Sequence, residues 1–457
     1  MPKANSELEI QRDVPYNEPH PPQKVGASET PPPAPCVGYG YRNNSIVMFV
    51  MVWTNIVIPQ GGILSNSFNL ASATLGAGII SLPWAFNAVG LVAGTIYLVL
   101  MTIVTVYTIT IIALVMEKTG HRAYEQMSRG VLGMRAAHFM AFVMGLSSLG
   151  TAVAYIIAIY SIVTPVLVHS PGTSEYFKTH GGARVVTFLV WLLGMLPLVV
   201  PKKVNTLRYI SAMGVAFVVY FAVVIIIHAA RGGLPKRSEV KMYEGGNIAL
   251  EGFGIFIFAY LCQSIAFQVY FEMRIRSVKK IAIAATISMS FCTLVYWVAG
   301  VFGYMDFGVD VRDSVLYMYN PVQNSMVMVA YIGLVLKICA SYSLNMIPLR
   351  NTAYFLLKWD IDELPYWKHA AIVTGISGFA LVSGLFIPKI STVFNVAGPV
   401  CGGFIGFIYP ALFYMYSGNW SLSTVGWFHY LLTYTTLIAG VASVIFGTAG
   451  VIHSMVV

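Results

Sequence analysis

Residues 61–89 read GGILSNSFNLASATLGAGIISLPWAFNAV, a stretch long and apolar enough to cross a bilayer yet interrupted at its middle by Gly76, Gly78 and Pro83. About 20 residues of helix span the ~30 Å of hydrocarbon, and glycine and proline are poor residues for an unbroken one. Two readings of the interruption stand side by side. Small residues let membrane helices cross closely. Alternatively, the glycines unwind a turn, free backbone N–H groups near the midplane, and aim the amino terminus of a half-helix at an anion.

Around this stretch the composition excludes a soluble globular domain: 57% of residues are hydrophobic, 10% are charged and the mean hydropathy is +0.73. Apolar blocks recur at 61–89, 91–116, 136–167, 184–200, 208–229, 248–272, 280–304, 322–349, 367–387, 391–416 and 425–452. Backbone groups in lipid must be satisfied within their own segment, so these blocks predict an all-α polytopic membrane protein with about eleven transmembrane helices. Their continuity, without short alternation, excludes a transmembrane barrel.

Residues 1–60 are different in kind. Nine of the 22 prolines fall in the first forty positions and no apolar block does, which predicts a disordered, proline-rich cytosolic tail ahead of a transmembrane domain over 61–457. The stretch lacks the basic start, apolar centre and small-residue cleavage site of a signal peptide. With the amino terminus inside, the inner loops carry fourteen Lys and Arg residues against eight in the outer loops, with four more in the tail. That asymmetry supports the orientation. One basic residue of the 27 is left over, Lys337, midway along the block 322–349.

The net charge of +9 thus belongs to loops that meet anionic lipid, and no basic run interleaved with aromatics points to nucleic acid. No HExxH occurs, and the nine histidines have no partner three or four residues away. These absences leave no metal site, cofactor or enzyme chemistry to expect. Of the five cysteines, Cys36 is in the tail and Cys262, Cys292, Cys339 and Cys401 lie inside spans, so no disulfide between outer loops is available.

A second interrupted block gives weight to the unwound reading of the first. Residues 248–272 read IALEGFGIFIFAYLCQSIAFQVYFE, with Gly252 and Gly254 early and the polar pair Gln263 and Ser264 at mid-depth. These are the first and sixth spans, and in transporters built from inverted repeats the first helix of each five-helix half is the broken one.

At these residues the chain resembles the amino acid/auxin permease family, and within it the trypanosomatid amino-acid permeases, over nearly all of 61–452. The likeness is carried by FNLASATLGAGIISLPWAF (68–86), FAYLCQSIAFQVYFEM (258–273), SLNMIPLRNTAYFLL (343–357) and VFNVAGPVCGGFIGFIYPALFY (393–414). The resemblance implies a LeuT-like five-plus-five inverted repeat, alternating access, and secondary active transport of free amino acids, often driven by a proton or sodium gradient. It places the backbone amides of Gly76, Ala77, Gly78 and Ile79 where they receive the substrate carboxylate, with Thr74 and Ser81 nearby. It makes Phe258, Ala259, Tyr260, Cys262, Gln263 and Ser264 the unwound segment that faces the substrate's amino group and side chain. Tyr155, in GTAVAYIIAIY, matches a tyrosine that closes the site; its plainer reading is a packed membrane tyrosine.

The coupling ion is where the chain departs from the family pattern. Sodium-coupled relatives have an asparagine four residues before the first glycine and a hydroxyl residue in the eighth span, where this chain offers Ser72 and Ser341. Lys337 stands one turn before Ser341 on the same helical face. An ammonium there takes the place of a cation or loads and releases a proton, which favours proton coupling or uncoupled exchange over sodium. The plainer alternatives are snorkelling, which its mid-span position disfavours, or a pairing that only stabilises helix packing.

For the substrate, no Asp or Glu lies mid-span to pair a cationic side chain such as that of arginine or lysine, leaving Glu251 or cation–π contact with Phe258 or Tyr260; neutral amino acids fit as well. Glu272 reads as an anchor for Arg274, Arg276 or Lys279. The rival class is an amino-acid-sensing receptor without net transport, whereas divalent-metal transport would want midplane acids that are absent. The plasma membrane is the family expectation for residence, with an acidic internal compartment as the alternative.

Overall fold

Described by a computed structural model are residues 61–201, 207–232, 240–357, 359, 364–418 and 420–456; the expected proline-rich tail lies outside them. Among the described residues there is no strand, ten helices are long and apolar enough to cross a membrane, and one bent pair makes an eleventh span. In chain order the spans are the first (Ile63–Thr74 with Gly78–Val89), second (Leu91–Thr119), third (Met134–His169), fourth (His180–Val199), fifth (Leu207–Gly232) and sixth (Asn247–Ala259 with Gln263–Glu272). The seventh (Val278–Phe307), eighth (Ser325–Leu357), ninth (Tyr366–Phe386), tenth (Ile390–Tyr416) and eleventh (Trp427–Val456) complete the bundle. Leucine, isoleucine and phenylalanine side chains on its outside stay exposed, Leu193 at 74% and Ile438 at 66%, a surface that suits lipid as solvent.

Most bounds fall within a few residues of the apolar blocks. The eighth span is the exception, continuing from 349 to Leu357. Pro348 lies within that helix and removes one backbone donor without ending it. Arg350, which breaks the apolar run, is absorbed because its guanidinium donates to the Pro201 carbonyl at 3.2 Å. A short helix, Tyr124–Leu132, had no apolar block to announce it: it buries Tyr124, Met127 and Ser128 and leaves Gln126 and Arg129 exposed.

Two arrangements position the candidate site. The two halves of the first span are bent by 64°. Its second half packs on the first half of the sixth span, and its first half on the second half of the sixth, so the two interrupted spans run antiparallel with their breaks side by side. The second span likewise packs on the seventh and the third on the eighth. Pairing at an interval of five spans is what an inverted five-helix repeat produces.

Glycines make these close crossings possible. Phe86 sits between Gly94 of the second span and Gly300 of the seventh, where an added Cβ would lie 2.6 Å and 2.4 Å from its ring. Gly300→Ala is therefore expected to cost about 1–3 kcal/mol by overpacking. A lower midpoint for loss of the monodisperse peak, when the detergent-purified protein is heated, checks it; an unchanged midpoint contradicts the packing argument.

Candidate functional site

At the break in the first span the two glycines have different surroundings. Gly76 N–H donates to the Thr74 carbonyl at 2.7 Å in a tight turn, and the Thr74 hydroxyl turns back to the Leu70 carbonyl at 2.8 Å. The helix restarts at Gly78, so the N–H groups of Ala77, Gly78 and Ile79 have no carbonyl one turn behind them. Backbone N–H groups so placed at the start of a half-helix, along its dipole, are of the kind that can receive an anion. Gly78 faces the sixth span: a Cβ there would lie 3.1 Å from that of Ala259, so it lets the two broken spans approach.

Against Gly76 lies the Tyr155 hydroxyl, 3.0 Å from where a Cβ would be. Tyr155 is 5% exposed, and Ser341 of the eighth span is also buried. One turn earlier on that helix, the Lys337 ammonium donates to the Ser72 carbonyl at 2.7 Å and to the Ser72 hydroxyl at 2.9 Å. Lys337 is 3% exposed. Its chain fits against Gly214 of the fifth span, where a Cβ would lie 2.3 Å from the lysine Cδ. The structure thus brings Ser72, Thr74, Gly76, Tyr155, Lys337 and Ser341 together around one break. Of the two sodium-type positions, Ser72 is engaged by the Lys337 ammonium.

The sixth-span residues divide. Cys262 is fully buried at the break of its span. Tyr260 turns to the second and seventh spans, where its hydroxyl meets Thr102 at 3.2 Å and Thr293 at 2.8 Å. Gln263 takes the Cys262 N–H at 3.1 Å and donates to Thr108 of the second span at 3.4 Å. Phe258 packs on Phe394 of the tenth span, ring centroids 4.6 Å apart, and Ser264 is half-buried. Farther out on the same helix, Glu251 accepts a long contact of 3.5 Å from the Asn395 amide of the tenth span.

One residue that the sequence reading passed over stands at the centre. The hydroxyl of Tyr296, on the seventh span and fully buried, reaches the carbonyls of both breaks, Thr74 in the first span and Ala259 in the sixth, the latter at 3.2 Å. Nothing in its local sequence, LVYWVAG, distinguishes it from any other membrane tyrosine. The only available signal was its place on the span that packs on both the first and the second. Among the described residues no three His, Cys, Asp or Glu side chains gather as a metal site would require.

A family profile described as "Transmembrane amino acid transporter protein" matches residues 59–453. The chain is similar to "Vacuolar amino acid transporter 5" of Schizosaccharomyces pombe, 26% identical over 374 residues that cover 79% of this chain and 86% of that one. It is also similar to "Amino acid transporter AVT6E" of Arabidopsis thaliana, 25% identical over 411 residues, covering 86% and 84%.

Proposed function

The chain belongs to the transmembrane amino acid transporter family and carries amino acids across a membrane rather than catalysing a reaction, and from that premise we propose how it does so. The substrate carboxylate is received by the N–H groups of Ala77, Gly78 and Ile79, and Tyr155 closes over the break. The two half-spans on either side then exchange access between the two faces. Lys337 is the resident cation.

The contact of Lys337 with Ser72 is the observation that carries the coupling part of this reading. Its ammonium uses both oxygens of Ser72 beside the break, and a positive charge there repels a sodium ion. Coupling is therefore to protons, or absent, with sodium the weaker option. Neutral and cationic amino acids are both accommodated; the second class would draw on Glu251 or on the rings of Phe258 and Tyr260. Of the two membranes that stay open, the name of the fission yeast relative supports an acidic internal compartment over the plasma membrane, and a fluorescent fusion viewed in the native cell decides between them.

The test is uptake of a panel of labelled amino acids by the full-length protein in liposomes, with pH and sodium gradients imposed independently. Saturable uptake that responds to pH and not to sodium is expected. Binding without uptake would turn the assignment to a receptor, and sodium-driven uptake would overturn the role of Lys337.

A further inference from the structure

The short helix Tyr124–Leu132, which the transport cycle above does not use, joins the second and third spans on the side of the basic loops. It is held to the tenth span by the Tyr124 hydroxyl, which donates to the Ile405 carbonyl at 2.6 Å, and by its ring against Phe413, and to the sixth span by the same ring against Phe267. Between this helix, the start of the third span and the tenth span runs a groove of about 460 Å³, lined by Val131, Leu132, Phe139, Phe404, Leu412 and Tyr416 among others. Phe139 and Phe404 meet edge to face, centroids 5.0 Å apart, and the Tyr409 hydroxyl ties the walls together by donating to the Ala136 carbonyl at 2.9 Å.

The groove has a length and a polarity. Phe404, Ile408, Leu412 and Tyr416 follow at four-residue intervals down one side of the tenth span, a strip of about 18 Å at 1.5 Å per residue. Phe139 and Tyr416 remain exposed along it, at 44% and 66%. Arg129 lies one turn before Leu132 and Arg135 one turn before Phe139, and both are exposed. The acid of the same short helix is drawn from solvent: Glu125 is half-buried, and burial raises its carboxyl from its ordinary value.

An apolar slot about one acyl chain long, with two exposed arginines one turn from residues of its lining, suits the chemistry of an anionic phospholipid. We propose that it is a binding site for an anionic phospholipid of the leaflet that faces the basic loops, with an acyl chain against Phe139 and Phe404 and the phosphate held by Arg129 and Arg135. A free phosphate would leave the apolar strip unused. A zwitterionic lipid would set a positive headgroup group beside the two arginines.

Native mass spectrometry of the delipidated full-length protein tests this without any reliance on transport. Phosphatidylglycerol is expected to bind about tenfold more tightly than phosphatidylcholine of the same chains, and inorganic phosphate is expected not to compete. The double variant Arg129→Gln/Arg135→Gln should lose that preference while keeping its phosphatidylcholine adducts, which shows that the groove is still formed. Ala136→Trp, which fills the slot, should lose the bound phosphatidylglycerol. Equal binding of the two lipids by the native chain, retention of the preference by the double variant, or competition by phosphate alone overturns the proposal.

Discussion

Lys337→Met is expected to lower the initial rate of amino-acid uptake in liposomes at least tenfold, and to leave the residual rate indifferent to an imposed pH gradient. Methionine keeps most of the apolar chain that packs against Gly214 and removes only the ammonium that two Ser72 oxygens accept. A buried carbonyl that loses its donor costs about 1–3 kcal/mol, and the break it sits beside must keep its geometry for the substrate to bind. Lys337→Arg separates two causes of this loss. Guanidinium stays protonated under all working conditions. If Lys337 only supplied a fixed charge, arginine would restore pH-dependent uptake in proportion to expression; if it loads and releases a proton, arginine binds substrate without responding to the gradient. Unchanged pH dependence in Lys337→Met would remove the residue from the coupling pathway.

The number and order of the spans were legible in the sequence because lipid imposes a single requirement, about 20 apolar residues with their backbone satisfied internally. Apart from the two broken ones, each span meets it on its own. The broken first span was legible for a related reason, since GLGAG-like clusters such as Leu75-Gly76-Ala77-Gly78 conflict with helix propensity wherever they occur. Lys337 stood out because it is the one basic residue that no loop could hold. What could not be read was anything decided between spans. Gly76 and Gly78 look alike in the sequence, yet one makes the turn beside Tyr155 and the other makes room for Ala259. Tyr260 and Gln263 carry polar groups at the proper depth, but their partners are threonines of the second and seventh spans, and that direction depends on packing. The wide-turned segment Gly398–Ile408 of the tenth span was equally hidden. Its glycines favour no register by themselves, and they pack against neighbours such as Gly254, Ile257 and Val444.

Tyr296→Phe isolates the most consequential of these hidden contacts. Phenylalanine preserves the ring and its edge-on packing with Tyr260 at 5.6 Å, so only the hydroxyl is lost. That hydroxyl has one proton to give and faces two carbonyls, one from each break. It is the donor that links the first and sixth spans at their breaks. A bound amino acid brings donors of its own to the unwound segments, so the tie made by Tyr296 weighs most when no substrate is bound. The step most sensitive to its removal is therefore the return of the empty carrier. Net uptake into unloaded liposomes is expected to fall about tenfold, corresponding to ~1.4 kcal/mol on the limiting step, while exchange into liposomes preloaded with the same amino acid falls much less. Equal loss of net uptake and exchange, accompanied by a lower melting temperature, would make Tyr296 a packing residue and nothing more. Retained stability with a selective loss of net uptake would make it the element through which the two breaks move as one.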